Sequence, residues 1–356
     1  MPSPPTATEP ATNDPPPGGP VAPTRRRLYA SLVTFAALLA LLELGFRAST
    51  LGRRCPTDSY YTLEAGRYSA SAGFDIAIVG DSRVLHGVDP RVVERVLREQ
   101  TGRSLSVWNA GLPGAPPMAH LAWIERFLSH PHRPRLVMLS ISPNAFGSLL
   151  PDPPSRESLT AIYRLRDLTA ARRAGASVED LATITTANLF HLFNYRARLL
   201  RIVLNGEGVA APTVPGIQGY GPIASVTPDV QDSRARHRLL GYANEMHRMS
   251  AHFGNEQIGY FRECLRRLRE AGIRTVLMNS PSSTQLDAAY GPESMYAQHM
   301  AFVRAEARAY GLPFIDVEHS PAITDADFTD GDHLSVQGAA RFSEWLARVH
   351  IAPVVR

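Results

Sequence analysis

The sequence predicts an α/β protein with a three-layer α/β/α core, a five-stranded parallel sheet covered by helices on both faces, and an N-terminal transmembrane helix. After residue 74, five short apolar segments alternate with amphipathic helical patterns, which is typical of a parallel sheet. A run of 19 residues, 28–46, holds Glu43 as its one charge and is close to the length that spans a bilayer core. The apolar fraction of 44% in 356 residues supports a core of this size.

The strands are short because each apolar run is soon followed by polar or turn residues. The predicted strands are Ile76–Val79, Ser104–Trp108, Leu136–Ile141, Thr275–Met278 and Phe314–Val317. Asp89 and Pro90 open the clearest helix as N-cap and first residue, and Gly102 ends it. Other helical patterns cover Met118–Leu128, Gln257–Ala271, Ser294–Tyr310 and a last helix capped by Ser335.

The N-terminal region predicts a membrane anchor. The first 24 residues hold nine prolines and two acidic residues. We therefore expect residues 1–27 to form a disordered tail. Three arginines at 25–27 favour a cytoplasmic N-terminus, with 28–46 as an uncleaved signal anchor in the cell membrane. A cleaved signal peptide is the alternative. Residues 47–73 are interpreted as a juxtamembrane connector, which places residues 74–356 outside the cytoplasm.

Residues 74–356 form the predicted catalytic domain. The alternation of strands and helices breaks at about 150–255, which is interpreted as a mostly helical insertion. The net charge of +4 is spread along the chain without a Lys/Arg run, so nucleic acid is not an expected partner. Two cysteines, Cys55 and Cys264, are too few for a metal cluster or a disulfide framework. The sequence leaves open whether they form one disulfide bridge or are two free thiols.

The chain from Ile76 to Arg83 predicts an exposed serine at a sharp turn. The buried strand runs directly into Gly80-Asp81-Ser82-Arg83. A serine at the carboxyl end of a buried strand is where an open α/β sheet presents a nucleophile. Gly80 lets the backbone bend closely, and Asp81 is expected to brace the turn.

Polar blocks also follow the other predicted strands. Asn109 to Gly114 follows the second strand, and Ser142-Pro143-Asn144 follows the third. The block Asp330-Gly-Asp-His333 precedes the last helix. Because parallel strands end at one edge of the sheet, these blocks are expected to form one site.

In order and placement, these blocks resemble the SGNH (GDSL-like) hydrolase superfamily, including the closing pattern of His333, Leu334 and Gly338. The resemblance covers about residues 74–149 and 272–350 and implies a flavodoxin-like sheet. It implies Ser82 as nucleophile, His333 as general base and Asp330 as the carboxylate that orients the imidazole. It also implies an oxyanion hole formed by the Ser82 amide, Gly114 and Asn144.

Two alternatives and one departure accompany these roles. Asp332 competes with Asp330, but its position beside His333 is expected to turn its side chain away. Gly111 competes with Gly114, and the family spacing favours Gly114. The third block departs from the family pattern Gly-x-Asn-Asp, because it reads Ser142-Pro-Asn-Ala145.

Arg83 next to the nucleophile leaves two interpretations open. It could bind an anionic group of the substrate, or it could pair with a carboxylate of the protein. His86, His120 and His319 are interpreted as structural or solvated residues, because no paired ligand spacing indicates a metal. Neither a metal nor another cofactor is expected.

The predicted activity is acyl transfer through an acyl-serine at Ser82, to water or to a sugar hydroxyl. Together with the anchor, the resemblance implies an extracytoplasmic O-acetyltransferase or esterase that acts on cell-envelope or exopolysaccharide O-acetyl groups. A membrane-bound protein could supply the acyl group. A general carboxylesterase or lipase is the nearest alternative, and a non-catalytic polysaccharide-binding protein on the same fold is the alternative from another class. A phosphate-binding domain ranks lower, because no Gly-rich phosphate loop follows the first strand.

Overall fold

The chain forms two compact units, Met1–Ser49 and Thr50–Arg356, which we call the anchor unit and the α/β unit. They are described from a computed structural model. The described residues are 25–49, 60–142, 146, 159–160, 162–190, 192, 204, 218–224, 231, 233–234, 237, 256–286, 295–317 and 320–356.

The described residues of the anchor unit, 25–49, form the helix α1, Arg25–Ala48. Its length and apolar composition would allow it to cross a membrane, and a signal sequence would pass the same test. Arg25–Arg27 form its first turn, whereas the rest of the predicted disordered tail lies outside the described residues. Glu43 accepts a hydrogen bond from Arg47 at 2.6 Å, one turn later on the same helix.

The α/β unit holds the predicted five-stranded parallel sheet. The strands are β1 Ile76–Gly80, β2 Val107–Gly111, β3 Leu136–Ser140, β4 Arg274–Met278 and β5 Phe314–Ile315. Their order is β2-β1-β3-β4-β5, all parallel. This is the flavodoxin-like order, and the predicted fold class is confirmed.

Successive strand residues face opposite sides of the sheet and enter two apolar cores, one on each face. Helices cover both of these faces. The first core takes in the helices at 60–70, 117–129, 168–173, 178–189, 257–270 and 295–310, and the second takes in those at 82–87, 90–101, 336–345 and 352–355. The helices are α2 Tyr60–Ala70, α3 Ser82–Gly87, α4 Pro90–Thr101, α5 Pro117–Ser129, α6 Leu168–Arg173, α7 Val178–Leu189, α8 Gln257–Glu270, α9 Met295–Tyr310, α10 Val336–Trp345 and α11 Ala352–Val355. Short 3-10 turns cover Leu165–Asp167 and Asp325–Asp327, and a π-helical turn covers Leu346–Ile351.

Helix boundaries follow the local chemistry that predicted them. The Asp89 side chain accepts from the Arg91 amide at 3.0 Å, and Pro90 is the first residue of α4. Gly102 ends α4 in the left-handed region, with φ of 69°. Ser335 caps α10 by accepting from the Gly338 amide at 3.2 Å.

Two segments differ from the sequence prediction. Helix α2 lies within residues 47–73, interpreted above as a connector, yet its Tyr61 and Tyr68 are buried in the first core. Strand β2 begins and ends three residues later than predicted, because Asn109 lies inside the strand. The Asn109 amide group donates to the carbonyls of Val84 and Val88 at 2.8 and 2.7 Å, so a polar residue is satisfied at a buried position.

The predicted insertion is described only in part. Its helices α6 and α7 contribute Ala170, Ala171 and Ile184 to the first core. Most of the insertion after α7 lies outside the described residues. Cys264 is buried as a free thiol, and Cys55 lies outside the described residues.

The sheet register aligns the strand ends that carry the candidate site. Gly80 pairs with Gly111, and Leu139, the residue before Ser140, pairs with Val79 and Leu277. The residues that follow β1, β2 and β3 therefore emerge at one edge of the sheet.

Candidate active site

Ser82 is the first residue of α3, at the carboxyl end of β1. Asp81 caps this helix by accepting from the Arg83 amide at 3.0 Å, which agrees with its expected role in bracing the turn. A Cβ atom on Gly80 would lie 2.4 Å from the Val84 side chain. Glycine is therefore required there for α3 to start this close to the strand.

A short loop between Phe328 and Leu334 carries the other two predicted residues. Phe328 and Leu334 form an isolated antiparallel bridge, and both are buried. The Thr329 amide donates to the His333 carbonyl at 2.8 Å, and the His333 amide donates to Asp330 at 3.0 Å. These bonds place Asp330 and His333 on the same side of the loop.

The structure brings Ser82, His333 and Asp330 into one hydrogen-bonded chain. The Nδ1 atom of His333 lies 2.9 Å from one Asp330 oxygen and 3.1 Å from the other. A carboxylate accepts, so Nδ1 carries the proton and Nε2 presents a lone pair. Nε2 lies 2.8 Å from Ser82 Oγ, which is the arrangement that lets an imidazole take the proton of a serine hydroxyl.

A second carboxylate also reaches His333. Asp332 Oδ1 lies 3.3 Å from His333 Nδ1, although its position beside His333 was expected to turn it away. Asp330 makes the shorter contact with this nitrogen, and Asp332 is almost fully buried. The imidazole is thus held between two carboxylates, with Asp330 as the closer one.

The side chain of Arg83 lies beside Asp332. Its Nε is 3.5 Å from Asp332 Oδ2, and both side chains are at most 4% exposed. This placement favours pairing with a carboxylate over contact with an anionic group of a substrate. The substrate role of Arg83 stays a prediction.

The predicted oxyanion-hole residues fall partly within the described structure. Gly114 lies in an exposed turn after β2, with φ of 58°. The amide of its competitor Gly111 already donates to the Asn109 side chain at 2.8 Å, so that amide is committed. Asn144 lies outside the described residues, and its role stays a prediction.

Among the described residues, Asp330, Asp332 and His333 are near enough to one another to share a metal ion. Both ring nitrogens of His333 already have partners, Asp330 on one side and Ser82 on the other. The arrangement therefore suits a proton relay better than metal coordination. The absence of a cofactor stays a prediction.

His86 was interpreted as structural or solvated, yet it lies at this site. Its ring meets the His333 ring edge to face, with centroids 5.2 Å apart. Burial lowers the pKa of His86, and nearby His333 lowers it further, while the Gly221 carbonyl opposes both effects. The sequence did hold one signal for this position of His86. It lies four residues after Ser82, and this spacing places the two residues on one face of a helix.

The other two histidines of that group differ from His86. His120 is fully buried, and burial lowers its pKa to about 3, which fits the structural interpretation. His319 lies outside the described residues. A further buried histidine, His299, donates from Nε2 to the Ile141 carbonyl at 3.1 Å and so fixes the chain just beyond β3.

Comparison with known proteins gives a few distant structural likenesses. No protein family and no curated protein matches the chain. A Streptococcus pneumonia protein provisionally described as a platelet activating factor is 13% identical, covers 89% of this chain and 97% of its own, and gives a TM-score of 0.34. AlinE4, described as an SGNH-hydrolase family esterase, is 14% identical, covers 80% of this chain and 100% of its own, and gives a TM-score of 0.29.

Proposed function

We propose that this chain is a serine-dependent enzyme that acts on O-acyl esters through an acyl-serine at Ser82. The observation that carries the proposal is the hydrogen-bonded chain from Ser82 Oγ through His333 to Asp330, at 2.8 and 2.9 Å. Ser82 lies 251 residues before His333, yet it meets the neighbouring pair His333 and Asp330 in the order that activates a serine hydroxyl.

In the first half of the reaction, Ser82 Oγ attacks the ester carbonyl carbon while its proton moves to His333 Nε2. Asp330 stabilises the imidazolium that forms, and the amides near the strand ends would hold the developing oxyanion. The leaving alcohol takes the proton from His333. In the second half, water or another alcohol gives its proton to His333, attacks the acyl carbon and releases Ser82.

The proposed substrates are O-acetyl groups of cell-envelope or exopolysaccharide chains, either removed or transferred. Polar groups near Ser82 include Asp81, His86 and Asp330, and they favour a polar alcohol over the long acyl chain of a lipase substrate. A membrane-bound protein that delivers the acyl group is part of this proposal.

The ester chemistry is tested with the full-length chain in detergent and an aryl acetate. We expect release of the aryl alcohol to begin with a burst equal to the enzyme concentration, if deacylation is the slower step. Added glycans that raise the steady rate and become acetylated would identify a transferase. A folded sample that releases no aryl alcohol would contradict the proposal.

The proposed location is the cell membrane, with the α/β unit outside the cytoplasm. It rests on the length of α1 and on the arginines at its start. A reporter enzyme that works only outside the cytoplasm, joined after Arg356, is expected to be active in cells. A matched fusion to a reporter that works only in the cytoplasm should be inactive, and the reverse pair of results would overturn this topology.

A further inference from the structure

A segment of the insertion crosses the candidate site. Residues 218–224, which we call the strap, run beside β2, α3 and the start of α10. The Asn109 amide donates to the Gln218 carbonyl at 2.9 Å, and the Gly221 amide donates to the Leu85 carbonyl at 3.1 Å. The Val336 amide donates to the Ile223 carbonyl at 2.9 Å. The strap therefore joins the helix that carries Ser82 to the helix that follows His333.

Close packing holds the strap in this position. Gly219 has φ of 84°, and a Cβ atom there would lie 1.8 Å from the Asn109 carbonyl oxygen, so only glycine fits. The next residue, Tyr220, is buried in the second core. The strap is thus seated by a close backbone approach on one side and by an aromatic side chain on the other.

The strap fixes the tautomer of His86. The Gly221 carbonyl can only accept, so the hydrogen bond between it and His86 Nδ1 places the proton on Nδ1. In the neutral imidazole, Nε2 is then a hydrogen-bond acceptor. No hydrogen bond to this Nε2 is present among the residues that the structure describes, and the ring is only partly buried.

His86 and His333 therefore form a pair of imidazoles beside Ser82. In the second half of the proposed reaction, His333 Nε2 accepts a proton from the hydroxyl that attacks the acyl group. The His86 ring, edge to face with it at 5.2 Å, is near enough to contact a different part of the same alcohol. A simple ester hydrolase that uses water alone has no need of a second acceptor at this place.

We propose that His86 binds the acyl acceptor by accepting a hydrogen bond at Nε2 from a second hydroxyl, one that neighbours the reacting hydroxyl of a polyol such as a sugar. This inference rests on the proposed function and names the class of its acceptor. The reacting O–H adds to the acyl carbon and gives its proton to His333. The bond from the acyl carbon to Ser82 Oγ then breaks, and that oxygen takes the proton back from His333. The second hydroxyl keeps its proton throughout.

The test compares ethylene glycol with 2-methoxyethanol as acceptors for acetyl groups from an aryl acetate, using the full-length chain in detergent. Both alcohols react through a similar primary hydroxyl, one in 2-methoxyethanol and either of two in ethylene glycol, but only ethylene glycol has a neighbouring O–H to donate. We expect the wild-type chain to transfer acetyl to ethylene glycol about tenfold faster per hydroxyl, the effect of one hydrogen bond.

Two substitutions test whether this preference for ethylene glycol depends on His86. Asparagine can keep the donor to Gly221 but has no group near the Nε2 position, so His86→Asn should reduce the preference to about onefold or twofold. His86→Gln places an amide near the Nε2 position and should retain more of it. His132→Asn, at an exposed histidine on the loop that leads into β3, is the matched control and should behave as wild type.

The outcomes separate this inference from the proposed function. A wild-type chain with no preference for ethylene glycol would overturn the role of His86, and this measurement needs no variant to fold. Equal losses with both alcohols in His86→Asn would also overturn it, because they would indicate a structural role. Absence of any wild-type acetyl release would contradict the proposed function itself.

Discussion

Replacing Ser82 with alanine is expected to lower kcat for an aryl acetate by about 10⁶-fold, the loss typical of a removed serine nucleophile. The hydroxyl lies 2.8 Å from His333 Nε2, and without it no acyl-enzyme can form. The free energy of unfolding should change little, because Ser82 is only partly buried at the first turn of α3. Initial rates and urea unfolding curves measure both quantities.

Ser71→Ala is a suitable control for that substitution. Ser71 follows α2 and its hydroxyl donates to the Tyr68 carbonyl at 2.7 Å, away from the carboxyl ends of the strands. We expect its kcat to equal that of the wild type. Full turnover in a folded Ser82→Ala sample would show that another group attacks the ester.

Replacing Asp330 with asparagine is expected to lower kcat by about 10² to 10³-fold. A lone orienting carboxylate in such a triad is worth about 10⁴-fold, because the amide favours the wrong imidazole tautomer. Here the effect should be smaller, since Asp332 remains 3.3 Å from His333 Nδ1. Stability should change little, because the Asp330 side chain is partly exposed.

Asp332→Asn is the matched comparison, and it should show the opposite balance. Asp332 is buried beside Arg83, so removing its charge should lower the free energy of unfolding by about 3 kcal/mol. Its effect on kcat should stay below about tenfold if Asp330 is the orienting carboxylate. A larger loss of kcat in Asp332→Asn than in Asp330→Asn would show that Asp332 is the carboxylate that orients His333.

The sequence was sufficient to predict the parts of this fold that depend on local pattern. The apolar strands and the capped helix at Asp89 and Pro90 carry their signals within a few residues. Ser82 and His333 could be placed at one edge of the sheet because parallel strands end together. This holds even though the two residues are 251 positions apart in the sequence.

The features that were missed depend on contacts between distant residues. The burial of α2 is not visible in its composition, because Tyr61 and Tyr68 pack against residues far along the chain. Asn109 inside β2 looks like a strand end until the carbonyls of Val84 and Val88 are known to satisfy it. His86 looked ordinary because its partner, Gly221, lies 135 residues away in the insertion.

The most direct test of the account is covalent labelling of the full-length chain in detergent with a serine-reactive phosphonate, followed by intact mass and peptide mapping. We predict one adduct, located on Ser82 and absent from Ser82→Ala, because only an activated serine reacts readily with such a reagent. A folded chain that stays unlabelled, or an adduct that maps elsewhere and persists in Ser82→Ala, would contradict the assignment of Ser82 as the nucleophile.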